Sequence, residues 1–72
     1  MMSMKYSVVI EKSADGYGAY VPDLPGCAAV GDTIEEAKSL IESANQLHVR
    51  AMREDGEPVP QPSTVVDYVE VA

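Results

Sequence analysis

Between Ile34 and Met52 the residues Ile34, Ala37, Leu40, Ile41, Ala44, Leu47, His48, Ala51 and Met52 recur at three- and four-residue spacing. At 100° per residue they form one mostly apolar stripe along a helix, and Glu35, Lys38, Glu42, Gln46, Arg50 and Arg53 fall opposite. The stripe dictates the rest, because the remainder of a 72-residue chain has to supply the surface that covers it. Thr33-Ile34-Glu35-Glu36 matches a capping box, in which the Thr33 hydroxyl accepts from the Glu36 N–H and the Glu36 carboxylate accepts from the Thr33 N–H. Acids in the first turn and Arg50 and Arg53 in the last turns suit the helix dipole, and Gly56 is a natural stop. A helix from about Ile34 to near Asp55 is predicted.

The covering surface is a sheet. From Met4 to Lys12, Tyr6, Val8 and Ile10 alternate with Lys5, Ser7, Val9 and Glu11, which is the period of a strand. Ser13-Ala14-Asp15-Gly16 supplies a turn, and Tyr17, Ala19 and Val21 resume the alternation, so a hairpin is predicted. Pro22 and Pro25 lack the N–H that a ladder needs and end the second strand, with Asp23-Leu24-Pro25-Gly26 as a tight connection. Cys27 to Val30 forms a short third strand, and Ala28 and Ala29 are small enough for a close helix crossing. Pro58, Pro60 and Pro62 impose an extended crossover over Glu57 to Ser63, and the Val-rich run Thr64 to Val71 reads as a fourth strand parallel to the first. The predicted order is β-β-β-α-β, an α+β two-layer domain with a mostly antiparallel sheet, spanning residues 1–72 as one unit.

A core this thin hides only about 60% of the surface that the unfolded chain exposes. One cysteine excludes an internal disulfide, and neither a second cysteine nor a histidine cluster offers a structural zinc, so self-association is the expected staple. Five Lys and Arg stand against 12 Asp and Glu, a net charge of −7. That field repels a phosphate backbone and argues against direct nucleic-acid binding, while it attracts a basic protein. With no Trp or Phe, stacking platforms for bases are not expected. The first residues carry no signal-peptide pattern and no long apolar run follows, so a soluble, cytoplasmic protein without membrane contact is expected.

The residues that could carry chemistry have structural readings. His48 has no second histidine to complete a catalytic or metal pair and reads as a packed helix residue. Cys27 reads as a small buried hydrophobe. The glycines match no phosphate-binding loop. Glu11, Asp15, Asp23, Asp32, Glu35 and Glu36 sit at turns or at the helix start, where turn chemistry and capping account for them. No cofactor or metal is expected. Tyr17 and Tyr20 point to opposite faces of the second strand, so one packs under the helix while the other meets solvent or a partner.

The run Tyr17-Gly18-Ala19-Tyr20-Val21-Pro22-Asp23-Leu24-Pro25-Gly26-Cys27, followed by Gly31-Asp32-Thr33-Ile34-Glu35-Glu36-Ala37 and the exit Gly56-Glu57-Pro58-Val59-Pro60-Gln61-Pro62, resembles the HicB-like antitoxin family. The resemblance implies a partial ribonuclease H-like fold, homodimers or larger assemblies, and masking of a small basic mRNA-cleaving toxin of the HicA type. Many relatives add a C-terminal DNA-binding module, and the sequence is read as a solitary domain without one. Ribonuclease H chemistry needs carboxylates converging on two metals about 4 Å apart, and the centre of the first strand, Ser7-Val8-Val9, has none. A non-enzymatic, toxin-binding protein is therefore expected, with Tyr17, Tyr20, Asp23, Glu35 and Glu42 as candidate partner contacts. The alternative is a free-standing homo-oligomeric module with another protein or a small ligand as partner.

Overall fold

A computed structural model describes residues 4–72. Three strands, β1 (Val9–Ser13), β2 (Gly16–Tyr20) and β3 (Ala28–Gly31), precede one long helix, α1 (Ile34–Glu54). The sheet is antiparallel in the order β1-β2-β3, and α1 covers one of its faces, which is the expected α+β layering.

β1 and β2 pair from Ser13↔Gly16 to Val9↔Tyr20, so the hairpin loop is the two residues Ala14 and Asp15. β1 starts at Val9, five residues later than the sequence pattern predicts. Extending the register would set Ser7 against Pro22, which has no N–H to donate, and the chain turns away there. The turn is held by three backbone bonds of 3.1 Å: Val21 N–H to Cys27 C=O, Leu24 N–H to Val21 C=O, and Cys27 N–H to Leu24 C=O. This connection also fills the core. Leu24 is 1% exposed and, with Ala19, Val21, Cys27, Ala37 and Ile41, makes up the buried cluster.

The helix starts as predicted: Thr33 is the N-cap in extended backbone, and Glu36 N–H donates to Thr33 Oγ1 at 3.1 Å. At the other end Gly56 N–H reaches Arg53 C=O at 3.2 Å and Glu57 N–H reaches Met52 C=O at 2.9 Å, with Gly56 at φ +72°. That pair of bonds is the Schellman stop, which favours glycine at this position.

Helix and sheet meet most closely at Gly31 and not at Ala28 and Ala29. A Cβ on Gly31 would lie 2.6 Å from Ala37 N and 3.0 Å from Ala37 Cα, and one on Gly16 would lie 2.5 Å from Gly31 O. Hairpin turn, β3 and first helical turn are thus stacked backbone on backbone. Ala29 does turn toward the helix, whereas Ala28 is exposed on the other face. The stripe is correspondingly only half covered. Ala37 and Ile41 are buried and Ala44 and Met52 pack against the cluster, joined there by Val49 from outside the stripe, but Ile34, Leu40 and Leu47 remain open, Leu47 at 63%. Three strands are too narrow for the whole arc.

The predicted fourth strand does not form, and with it goes the parallel crossover. Residues 57–72 belong to no helix or strand. β-propensity expresses fit to a pleated, half-buried surface, and the chain places no strand beside Thr64–Val71 to provide one. Side chains anchor the segment instead. The Tyr6 hydroxyl donates to Pro60 C=O at 2.5 Å and Ser7 Oγ to Thr64 C=O at 2.9 Å. Asp23 accepts four bonds: Ser63 N–H at 3.0 Å and Thr64 N–H at 3.1 Å on Oδ2, Ser63 Oγ at 3.0 Å and Thr64 Oγ1 at 2.7 Å on Oδ1. These donors, the Thr64 N–H foremost, favour the carboxylate and lower the Asp23 pKa from 3.8 to about 2. Past Thr64 the chain runs free, with Val65, Val66, Tyr68, Val69 and Val71 all exposed.

Two outcomes follow for stability. Gly31→Ala should cost about 1–3 kcal/mol in urea unfolding, as overpacking against immovable backbone does. Gly18→Ala should stay within about 0.5 kcal/mol, because a Cβ there meets nothing within 4 Å. Equal losses from both would refute the stacking. For Asp23, the ionised carboxylate is the bonded form, so its contribution is complete above the unfolded value near 4 and disappears as pH falls through about 2. Amide exchange at Ser63 and Thr64 should accelerate across that window while the core amides lag, and Asp23→Asn should show the acid behaviour already at pH 7.

Candidate functional site

In an antiparallel pair, residues directly opposite each other share a face. The register therefore sets Val9, Tyr20 and Ala28 in one row across the sheet and Glu11, Gly18 and Val30 in the next. Tyr17, Ala19 and Ile10 belong to the other face, against the helix. The uncovered face thus presents Val9, Tyr20 at 42% exposure, Ala28 and Val30 at 75%. Gly18 leaves a notch between Glu11 and Val30, since no atom comes within 4 Å of where its Cβ would be.

Tyr20 and Val30 exposed on adjoining rows, with the small Ala28 beside Tyr20 and an acid at the rim, have the make-up of a protein contact surface. No helix covers this face, because the only helix among the described residues lies on the other one. Glu11 and the hairpin residue Asp15 edge it with negative charge. The chemistry offered is apolar burial with the hydroxyls of Tyr20 and, at the hairpin end, Ser13.

The expected contact residues fall into four places. Tyr20 lies in the middle of the open face. Tyr17, its alternation partner, is half-buried and packs against the core, so the pair divides as the period-two pattern requires. Glu35 and Glu42 are exposed, two turns apart along α1, in the layer on the far side of the sheet from Tyr20. Asp23 sits at the end of the sheet with both carboxylate oxygens engaged by its own chain. One flat partner cannot touch Tyr20 and the helix acids together. Val9, Ala28 and Val30 were not anticipated as contact residues; the signal was present in the alternation, which assigns every odd residue of the first strand and every even residue of the second to one face.

Among the described residues no three His, Cys, Asp or Glu side chains gather as a metal site would require. Cys27 is buried, and loss of hydration raises its thiol pKa, so it sits in the core as a neutral small side chain. His48 lies half-buried beside Leu24, Pro25, Met52 and Pro60. No helix among the described residues is long and apolar enough to cross a membrane.

A family model described as "HicB_like antitoxin of bacterial toxin-antitoxin system" matches residues 6–71. An uncharacterized 14.9 kDa protein of Haemophilus phage HP1 is 41% identical over 66 residues, covering 92% of this chain and 50% of the phage protein. A UPF0150 protein of Synechocystis is 40% identical over 62 residues, covering 85% of this chain and 78% of its own. Antitoxin HicB 2 of Photorhabdus laumondii is 34% identical over 70 residues, covering 96% of this chain and 50% of that antitoxin. This chain thus spans about half the length of the phage protein and of the Photorhabdus antitoxin. Among solved structures, a chain of a HicA3 and HicB3 toxin-antitoxin complex superposes with a TM-score of 0.71 at 32% identity, over 83% of this chain and 70% of that one. A match over nearly all of the residues, on the three strands and capped helix described above, places the chain in the HicB-like antitoxin family.

Proposed function

We propose that this protein is a non-enzymatic antitoxin that binds and masks a small basic toxin of the HicA type. The observation that carries this is the likeness, over 83% of the chain, to a protein solved in a HicA3 and HicB3 complex. The surface chemistry supports it. The open sheet face supplies the contact, with Tyr20 as anchor and Val9, Ala28 and Val30 around it. Glu35 and Glu42, on the other layer, act through the field of a chain with net charge −7, which raises the encounter rate with a cation without requiring contact. Tyr17 and Asp23 support the same face from below and from its end, by packing and by fixing the C-terminal segment. The acids are spread over turns and helix surface and do not converge, which suits binding better than hydrolysis.

We further propose that the protein is a homodimer or larger assembly, as its exposed Leu40, Leu47 and C-terminal valines suggest. Sedimentation at micromolar concentration should show no monomer; a well-folded monomer there would overturn this part.

Masking is tested with a HicA-type toxin, tagged and co-expressed with this chain. A stable complex and relief of toxin-induced growth arrest are expected, and their joint absence would sink the antitoxin reading. Division of labour between the two layers is then read from binding kinetics. Tyr20→Ala should raise the dissociation rate, by about 1–2 kcal/mol, with association unchanged. Glu35→Lys with Glu42→Lys should slow association about tenfold at 50 mM salt and far less at about 300 mM, with dissociation unchanged. Effects in the reverse order would place the toxin on the helix instead.

A further inference from the structure

On the β1 side of α1 the sheet falls short of the helix. A groove of about 530 Å³ opens there between Met4 and Tyr6 and the helix residues Asn45, Val49, Arg50 and Arg53. Three properties of the groove ask for one kind of occupant. Its floor is apolar, made of Met4, Tyr6 and Val49. Arg50 and Arg53, two of the five basic residues of a strongly acidic chain, line it and outnumber its one acid, Glu54. In it the Asn45 Oδ1 atom is buried with no hydrogen-bond partner. A buried acceptor without a donor is a standing cost that an incoming N–H relieves.

Residues Val65–Val71 have the matching features. Four of the seven are valine, and their backbone pairs with no strand. In extended chain Val65, Asp67, Val69 and Val71 share one edge, three apolar side chains around one carboxylate. Tyr68 is 91% exposed. The segment makes no use of its own groove. The chain passes Tyr6 at Pro60 and is then held at Ser7 and Asp23 by Ser63 and Thr64, so it is already leaving the groove when it comes free. Thr64-Val65-Val66 has neither glycine nor proline to reverse it. The molecule measures 46 × 28 × 21 Å with a radius of gyration of 13.7 Å, against about 11 Å for a compact chain of this length.

We infer that Val65–Val71 of one copy lies in the groove of a second copy, and the second copy's segment in the groove of the first. The exchange is reciprocal and closes as a two-fold dimer. Asp67 faces Arg50 and Arg53, the valines of its edge meet Met4, Tyr6 and Val49, and a backbone N–H of the segment bonds Asn45 Oδ1. Between two copies that each carry −7, this groove is one of few places where approach brings opposite charges together.

This inference rests on the self-association proposed above, and charge swapping separates the two. By analytical ultracentrifugation of the full chain, Asp67→Arg alone, or Arg50→Glu with Arg53→Glu, should weaken the dimer at least tenfold, with the far-ultraviolet circular dichroism of the folded protein retained. Mixing the Asp67→Arg chain with the Arg50→Glu, Arg53→Glu chain should restore association, since both grooves of the mixed dimer pair opposite charges, and a chain carrying all three changes should dimerise with itself. Misfolding could not produce that rescue. If the unaltered protein associates but none of these changes weakens it, the groove is not the interface and self-association stands on another surface. If the unaltered protein is a monomer, both fail. Toxin binding through the open sheet face is measured separately and is untouched by either result.

Discussion

Everything in this fold is arranged around the absence of a side chain at Gly31. The first turn of α1 rests on the backbone of β3, with Ala37 fully buried directly above. From that single close approach the helix takes its height over the sheet, and from the height follows which side chains reach the core. Only the small Ala19, Ala37 and Cys27 and the larger Val21, Leu24 and Ile41 fit in the space left. A longer gap would have needed bulkier side chains than the Val, Leu and Ile that fill it. Close packing at one end offsets an interior too small to be stable by volume alone.

The helix, so placed, lies over β2 and β3 and leaves both margins unfinished. One margin exposes Leu40 and Leu47; the other opens the groove beside Tyr6. The sheet face turned away from the helix is open as well. A domain with one covered face, one bare face and a loose C-terminal segment is incomplete as an isolated body, and its apolar surface is what a binding protein has to offer. The scaffold's economy and its proposed role thus come from the same geometric fact.

What the sequence made legible was local. The capping threonine, the Schellman glycine, the two-residue hairpin and the split of Tyr17 from Tyr20 each depend on neighbours within a few positions, and each was read correctly. The stripe on α1 was legible as a stripe, but how much of it would be covered depends on the number of strands beneath. The same holds for Thr64–Val71: its composition records a capacity to pair, and pairing needs an edge brought alongside from elsewhere. The first strand was read too long because Ser7 alternates correctly yet would stand opposite a proline. Asp23 looked like one of many turn acids, since four donors arriving from 40 and 41 residues away leave no trace at the position itself. The family resemblance was legible because its motifs lie in the loops and caps that the fold cannot vary freely.

That carboxylate also orders events in time. Hairpin, connection and helix are closed by contacts between near neighbours and can form on the scale of microseconds. The Asp23 clamp must wait until a loop of about forty residues has shut and its ends have met, and the entropy of such a closure is recovered only at the last step. The C-terminal segment is therefore the final piece to arrive and the first to depart. Opening that one clamp would leave the core contacts intact and set the last residues at large without global unfolding. With the clamp open, the terminal valines would be available to whichever neighbouring molecule is nearest.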